Sequence, residues 1–558
     1  MTTRIVEPKT GFAGLKENWR GDLISGFLIF LIALPLSLGI ALGMGVPPVA
    51  GLFSAMIGGI IVSRISRSTV TIVGPPAGLI VVILAAVQSL GQGDAHAGYR
   101  YTLAAIVVAA VIQILLGVFK AGRLTAYFPS SVVHGMLASI GIIIMIKQIH
   151  TMFGVKPEPG SLLSLAAQIP HTMLHPHPEI VIIGLSGLIL LIAWSFIQNR
   201  YLKMIPAPLL VVLIGVWLGS LFDLSHEHVI RVIEDEKLLE QFKIGPEFLV
   251  TVPANLADGV TFPDFSKVLT GAFWGAVISI CLVGSLESIL SQVAVDKLDP
   301  YKRQSDLNRG QTAIGVGNLA SGLIGGVPMI YEIVRSSANI NNGAKTNWAN
   351  FFHGLFMLFF VALFPFLIHR IPLASLAALL VYTGFRLASP KEFAKTLTIG
   401  KEQLALFLIT IFGVLATDLL IGVAIGIVAK LIFHLLRGVS FKNLLKIFYH
   451  IENRGEDLFH VRVSGAAVFS NFISLKVALS ELPPKKKVVF DFSDSQFVDH
   501  TVMESIEDFC RVYQDAGGAC ELHGFDAHVS YGSHPLAARK KAQNGERLKS
   551  PENMNRNV

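Results

Sequence analysis

From Asp22 onward the chain is a succession of long apolar runs separated by short polar connections. A spanning helix needs about 20 mostly apolar residues, and about fourteen stretches approach that pattern. They are 22–43, 48–63, 74–89, 101–119, 130–149, 179–197, 205–222, 267–292, 308–325, 333–340, 349–369, 372–387, 403–417 and 418–438. The third and tenth are interrupted. TVTIVGPPAGLIVVIL starts extended, with β-branched residues, and turns helical only after Pro75–Pro76. VPMIYEIVRSSANI is short and carries Glu332 and Arg335 among its apolar residues.

Beyond about residue 440 the pattern changes. Short β-like runs such as VVFDF alternate with an amphipathic helical run from Met503 to Asp515, and Gly517–Gly518 marks a turn into a further strand. This predicts a small α/β domain over 439–536. Residues 537–558 hold few apolar side chains and are expected to be disordered. The N-terminal segment 1–21 is too polar for a signal peptide, so the first apolar run is expected to remain as a span.

Composition agrees with a membrane protein. Only 15% of the 558 residues are charged, 52% are hydrophobic, and the mean hydropathy is +0.61. The net charge of +7 belongs in cytoplasmic loops rather than on a nucleic-acid surface. Lys16 and Arg20 precede the first span, Arg64 and Arg67 follow the second, and Lys120 and Arg123 follow the fourth. Arg200 and Lys203 follow the sixth, and Lys297, Lys302, Arg303 and Arg309 the eighth. This alternation predicts both termini in the cytoplasm. Cys281, Cys510 and Cys520 are scattered, which indicates neither a disulfide framework nor a metal site. No nucleophile–base arrangement is visible, so an enzyme is not expected.

The two interrupted runs carry the candidate chemistry. Paired broken helices in matching halves point to a transporter's midplane site. A half-helix exposes unpaired N–H groups and a partial positive charge at its N-terminus, which favours an anion. Pro75 and Pro76 suit the start of one half-helix, leaving Ala77 and Gly78 as the nearest donors. At the other, Arg335 stands at the start of the half-helix and adds a full charge that stays ionised in lipid. An alternative places Arg335 at the membrane edge, paired with Glu332. Glu287 lies deep within the eighth run, with Ser285, Ser288 and Ser291 nearby. An isolated carboxylate there must be protonated, paired or ion-bound, so Glu287 is a candidate coupling site for H⁺ or Na⁺. A structural salt bridge is the alternative.

At these residues the chain resembles the sulfate permease (SulP) family. The resemblance rests on DLISGFLIFLIALPLSLGIALGMGVPPVAGLFSA, TVTIVGPPAG, GNLASGLIGGVPM, IVRSSANINNGAKT and ATDLLIGVAIGIVAKLI, and the C-terminal segment looks like a STAS domain. It implies a polytopic α-helical membrane protein of fourteen spans in two inverted seven-helix repeats. It also implies a core domain that moves against a gate domain, and a homodimer in a bacterial plasma membrane. The anion would bind between spans three and ten, at Pro76, Ala77, Gly78, Val334, Arg335 and Ser336. Na⁺ as coupling ion would use Glu287 and Ser291. Thr501 matches a position phosphorylated in soluble relatives, although His500 and Val502 depart from their motif. Val334 stands where many members have Ser or Thr. Secondary transport of sulfate or bicarbonate is the leading expectation. The alternatives are a proton-coupled nucleobase transporter of the same fold, or an anion-responsive sensor.

Overall fold

The computed structural model describes residues 7–120, 129–158, 160–199, 202, 205–234, 237–455 and 457–542. Arg123, Arg200, Lys203 and positions 543–558 of the expected disordered tail lie outside the described residues. In chain order the membrane region comprises α1 (Gly11–Gly43), α2 (Pro48–Ile57), a π-turn at Gly58–Val62 and α3 (Ser63–Ile65). There follow β1 (Ile72–Gly74), a 3₁₀ turn at Ala77–Leu79, α4 (Ile80–Gly91), α5 (Ala95–Val118), α6 (Ser130–Met152) and α7 (Leu162–Leu174). Next come α8 (Pro178–Ser195), α9 (Ala207–Leu221), the hairpin β2 (His228–Glu234) and β3 (Lys237–Ile244), α10 (Gly271–Leu298) and α11 (Leu307–Ile324). The second half continues through β4 (Ile330–Glu332), α12 (Ile333–Asn341), α13 (Trp348–Leu363), α14 (Pro365–Ile368) and α15 (Leu373–Leu387). It closes with α16 (Pro390–Ile399), α17 (Lys401–Ala416) and α18 (Leu419–Leu436).

Every apolar run expected to span contains a helix. Among the described residues, eight helices are long and apolar enough to cross a bilayer, and three shorter ones are apolar. Helix starts follow capping chemistry. Asp94 accepts from Ala97 N at 3.0 Å, Asp306 from Arg309 N at 3.0 Å, and Asp418 from Ile421 N at 2.9 Å. Pro48 and Pro178 occupy first turns, where an N–H is not needed. The first helix begins at Gly11, eleven residues before the expected span, because 11–21 continues helically as a polar turn sequence. The hydropathy pattern did not reveal α7 or α16. Each is short, and α7 carries Pro170.

The chain separates into two compact units. The first holds residues 1–122 and 140–387, and the second holds 123–139 and 388–558. In the first, α1, α2, α13 and α15 close around Leu38, Leu52, Met357 and Leu376. The second contains α16–α18 and the C-terminal domain. That domain has α19 (Phe441–Leu445), β5 (Phe448–Asn453), β6 (Leu458–Ala467), α20 (Ile473–Ser480), β7 (Lys487–Asp491) and β8 (Ser495–Val498). It ends with α21 (His500–Asp515), β9 (Ala519–His523), β10 (His528–Ser530) and β11 (Arg539–Lys541). The sheet order is β10-β11-β8-β6-β7-β9, with β5 pairing β6, and β6 runs parallel to both β7 and β8. Val461, Leu475, Phe490, Phe492 and Ile506 fill its core.

Two expectations are corrected here. Residues 539–541 are not disordered: they form the strand β11 between β8 and β10, because backbone pairing does not need apolar side chains. Cys510 and Cys520 are not isolated: α21 packs beside β9 and the two sulfurs are bonded.

Within the second unit, charged groups along α18 are drawn into the interior and meet acids there. Lys430 and His434 on α18 are fully buried. Lys430 Nζ donates to Glu402 at 3.3 Å, Arg437 pairs with the same carboxylate at 2.8 Å, and His434 lies 3.4 Å from Asp499. Asp499 caps α21 by accepting from Val502 N at 2.8 Å, and also accepts from Phe469 N at 2.9 Å. Burial pushes its carboxyl above the usual range, and Lys430 and the two N–H groups oppose that shift. Asp499→Ala is expected to lower stability by about 1–2 kcal/mol through the lost cap. A lowered melting temperature of the full-length variant, with earlier hydrogen exchange confined to α21 and the 468–472 turn, is the expected readout. Unchanged exchange there would refute the capping role.

Candidate functional site

The two interrupted runs meet. β1 and β4 pair antiparallel, with Ile72 opposite Glu332, Val73 opposite Tyr331 and Gly74 opposite Ile330. Pro75 and Pro76 follow β1. They cannot donate, and they hold the backbone extended until the helix begins; Pro76 has φ −90° and ψ 146°. The first N–H groups after the break are therefore those of Ala77 and Gly78. On the other side Glu332 is extended, and Ile333, Val334 and Arg335 open α12 with no intrahelical partner for their N–H groups. The half-helices leave opposite ends of one short ladder, and each completes the crossing its strand begins.

Side chains brace this ladder. Ser336 Oγ accepts from Ile72 N at 2.8 Å and donates to the Glu332 carbonyl. Asn339 Nδ2 donates to Val70 O at 2.8 Å, and Ser25 Oγ donates to Asn339 Oδ1 at 2.6 Å. Asn350 Oδ1 accepts from Val73 N at 3.4 Å. The Ser336 hydroxyl, expected among the anion ligands, is thus engaged with backbone on both its donor and acceptor sides.

The charged groups converge on the same turn. Arg335 is 2% exposed, and its Nη1 is buried without a hydrogen-bond partner in the protein. That atom fills the space a Cβ on Gly74 would need. Glu287, on α10, is 7% exposed; both of its oxygens are buried and unpartnered, and they fill the space a Cβ on Gly78 would need. The Pro75–Pro76 turn is therefore flanked by glycines at the two positions where a cationic and an anionic side chain press against the backbone. Glu332 Oε1, Ser288 Oγ and His353 Nε2 are also buried without partners. Ser291 is buried one turn beyond Glu287. Val334 points away from this interior, with 52% of its surface exposed, so only its backbone can serve the site. Thr501 lies on the first turn of α21 in the C-terminal domain, within the other unit.

Hydropathy reading missed the polar scaffold around these groups. Asn318 Oδ1 accepts from Met329 N at 2.7 Å, and its Nδ2 donates to Gln113 Oε1 at 2.8 Å. Gln113 and Gln311 both donate to Ser285 Oγ, at 3.3 and 2.6 Å. Gln292 reaches Ser68 at 2.6 Å, and Tyr331 Oη donates to Ser66 at 2.8 Å. Single amides inside otherwise apolar runs were the available signal, since an unpaired amide in a helix bundle must find partners there.

Comparison with known proteins gives the family and the fold. The profile of the sulfate permease family matches residues 19–410. A putative sulfate transporter, YvdB of Bacillus subtilis, is 26% identical over 428 residues, covering 75% of this chain and 74% of its own. The bicarbonate transporter BicA of Picosynechococcus is 24% identical over 414 residues, covering 74% of this chain and 69% of its own. Among solved structures, the transmembrane domain of a cyanobacterial BicA superposes with a TM-score of 0.60 at 22% identity, over 74% of this chain and 97% of that one. The structure of SLC26A9 gives 0.63 at 15% identity, over 91% of this chain and 85% of that one. At these identities the structural likeness speaks to fold alone, which is a multi-pass helical transporter fold.

The bracing role of Ser336 is open to test. Ser336→Ala removes the acceptor for a buried N–H, which costs about 1–3 kcal/mol. The variant is expected to melt below the wild type in detergent, whatever anion is present. An unaltered melting temperature would mean that Ile72 N has another partner.

Proposed function

As the chain belongs to the sulfate permease family, we propose that it is a secondary active transporter of sulfate or bicarbonate, with the anion held between the N-termini of α4 and α12. One observation carries the reading: Arg335, which opens α12, brings its buried, unpartnered Nη1 against Gly74, the residue before the Pro75–Pro76 turn that leads into α4. An anion there would meet the N–H groups of Ala77 and Gly78, those of Val334 and Arg335, and one guanidinium. The low-dielectric surroundings strengthen each of these contacts relative to water. Gly74 and Gly78 keep the backbone open enough for charged groups and ligand to approach.

Glu287 supplies the coupling. With its carboxylate unpaired and Ser288 and Ser291 beside it, the donors are all oxygen, which suits a hard cation or a proton. Taking up Na⁺ or H⁺ at Glu287 removes a negative charge from the turn that faces the anion, so cation and anion favour one another's binding. The protein works as a homodimer in a bacterial plasma membrane with both termini in the cytoplasm. Its C-terminal STAS domain tunes transport, with Thr501 as a regulatory position.

Uptake of labelled sulfate and labelled bicarbonate into proteoliposomes, with and without Na⁺ and pH gradients, tests the proposal. Gradient-dependent accumulation of either anion is expected, and binding without flux would overturn it. Arg335→Ala is expected to weaken anion binding by about 1.5–3 kcal/mol, the scale of a charge-assisted hydrogen bond. Equal affinity of a folded variant would move the site elsewhere. Glu287→Gln keeps the shape and removes the charge, so uptake should lose its gradient dependence while the protein stays folded. A retained gradient dependence would show that the coupling ion binds at another residue.

A further inference from the structure

The N-terminal part of α1 and the loop after α12 flank a half-open cavity of about 320 Å³, lined by Glu17, Asn18, Trp19, Arg20, Gly343 and Lys345. We propose that this cavity binds the phosphate of an anionic phospholipid headgroup. Its charge is basic on balance. The one acid in the lining, Glu17, is already paired with Lys9, whereas neither Arg20 nor Lys345 makes an ion pair among the described residues. Arg20 stacks on the Trp19 ring with its guanidinium carbon 5.4 Å from the ring centre, which leaves its N–H edge available to a phosphate.

The depth of the cavity selects lipid over a free anion. Farther along α1, Ile24 and Phe27 are exposed apolar side chains, the first on this helix to face the bilayer after Trp19. Trp19 precedes Ile24 by five positions, about 7–8 Å of helix rise, which is close to the thickness of one headgroup layer. A tryptophan at that level belongs to the interfacial belt, and a basic pair beside it sits at the height of lipid phosphates.

The loop that offers Lys345 is held from behind. The buried carboxylate of Asp22 accepts from Lys345 N at 2.8 Å and Thr346 N at 3.2 Å, and from the Thr346 hydroxyl. Arg303 Nη1 donates to Lys345 O at 2.8 Å. The backbone is thereby fixed while the ammonium remains exposed towards the cavity. A headgroup bound to both Arg20 and Lys345 would tie α1 to the loop that ends α12, the half-helix bearing Arg335.

The test is a thermal-shift titration of the full-length protein in uncharged detergent with three probes: dioctanoyl phosphatidylglycerol, dioctanoyl phosphatidylcholine and inorganic phosphate. Phosphatidylglycerol is expected to raise the melting temperature saturably, and the zwitterionic lipid and phosphate to do so far less. Arg20→Gln combined with Lys345→Gln should weaken the phosphatidylglycerol effect by about tenfold. The charge-keeping pair Arg20→Lys and Lys345→Arg should retain it, which separates lost binding from lost folding. Equal protection of the wild type and the folded glutamine variant would overturn the site. Full protection by inorganic phosphate alone would overturn its assignment to lipid.

Discussion

Backbone in the middle of a bilayer must find its hydrogen bonds within the protein. This chain breaks two helices within its membrane region, and the six residues of β1 and β4 resolve the problem by pairing with each other. Everything else at the site follows from that ladder. It sets where α4 and α12 begin, and it leaves their first-turn N–H groups unspent. It is braced by Ser336 and Asn350, which accept from Ile72 N and Val73 N of β1, and by Asn339, which donates to the Val70 carbonyl just before it.

Around the ladder, charge is placed where it is most expensive. Arg335 and Glu287 are buried, and together with Glu332, whose Oε1 is also buried, they carry polar atoms that no protein group hydrogen-bonds. A fold that only had to be stable would pair or remove them, because an uncompensated buried charge is strongly destabilising. Their placement beside two glycines that make room for them is what the proposed anion and coupling-ion sites would require. The polar chain from Met329 through Asn318, Gln113 and Ser285 shows the contrast: there, the buried amides and hydroxyl find partners within the protein and link α5, α10 and α11.

The second unit uses buried charge differently. Lys430, Arg437 and Glu402 bind α17 to α18, and His434 approaches the Asp499 that caps the main helix of the C-terminal domain. The last span and the soluble domain are therefore one packed body, not a membrane helix with a separate appendage.

Hydropathy alone determined the spans, because twenty apolar residues in a row have few other fates. The same pattern exposed the two interruptions, through Pro75–Pro76 and through charges at Glu332 and Arg335, since proline and buried charge are locally costly wherever they occur. The α/β character of the C-terminal domain was also legible from alternation and the Gly517–Gly518 turn. What the tertiary structure decided depends on proximity between residues far apart in the chain. That β1 pairs with β4, that Gly74 faces Arg335 and Gly78 faces Glu287, that Ser336 braces a strand, that Cys510 meets Cys520, and that Arg539–Lys541 joins a sheet all follow from packing. Local propensity reports the cost of each residue in its own segment; which distant group meets that cost is set only once the segments are assembled.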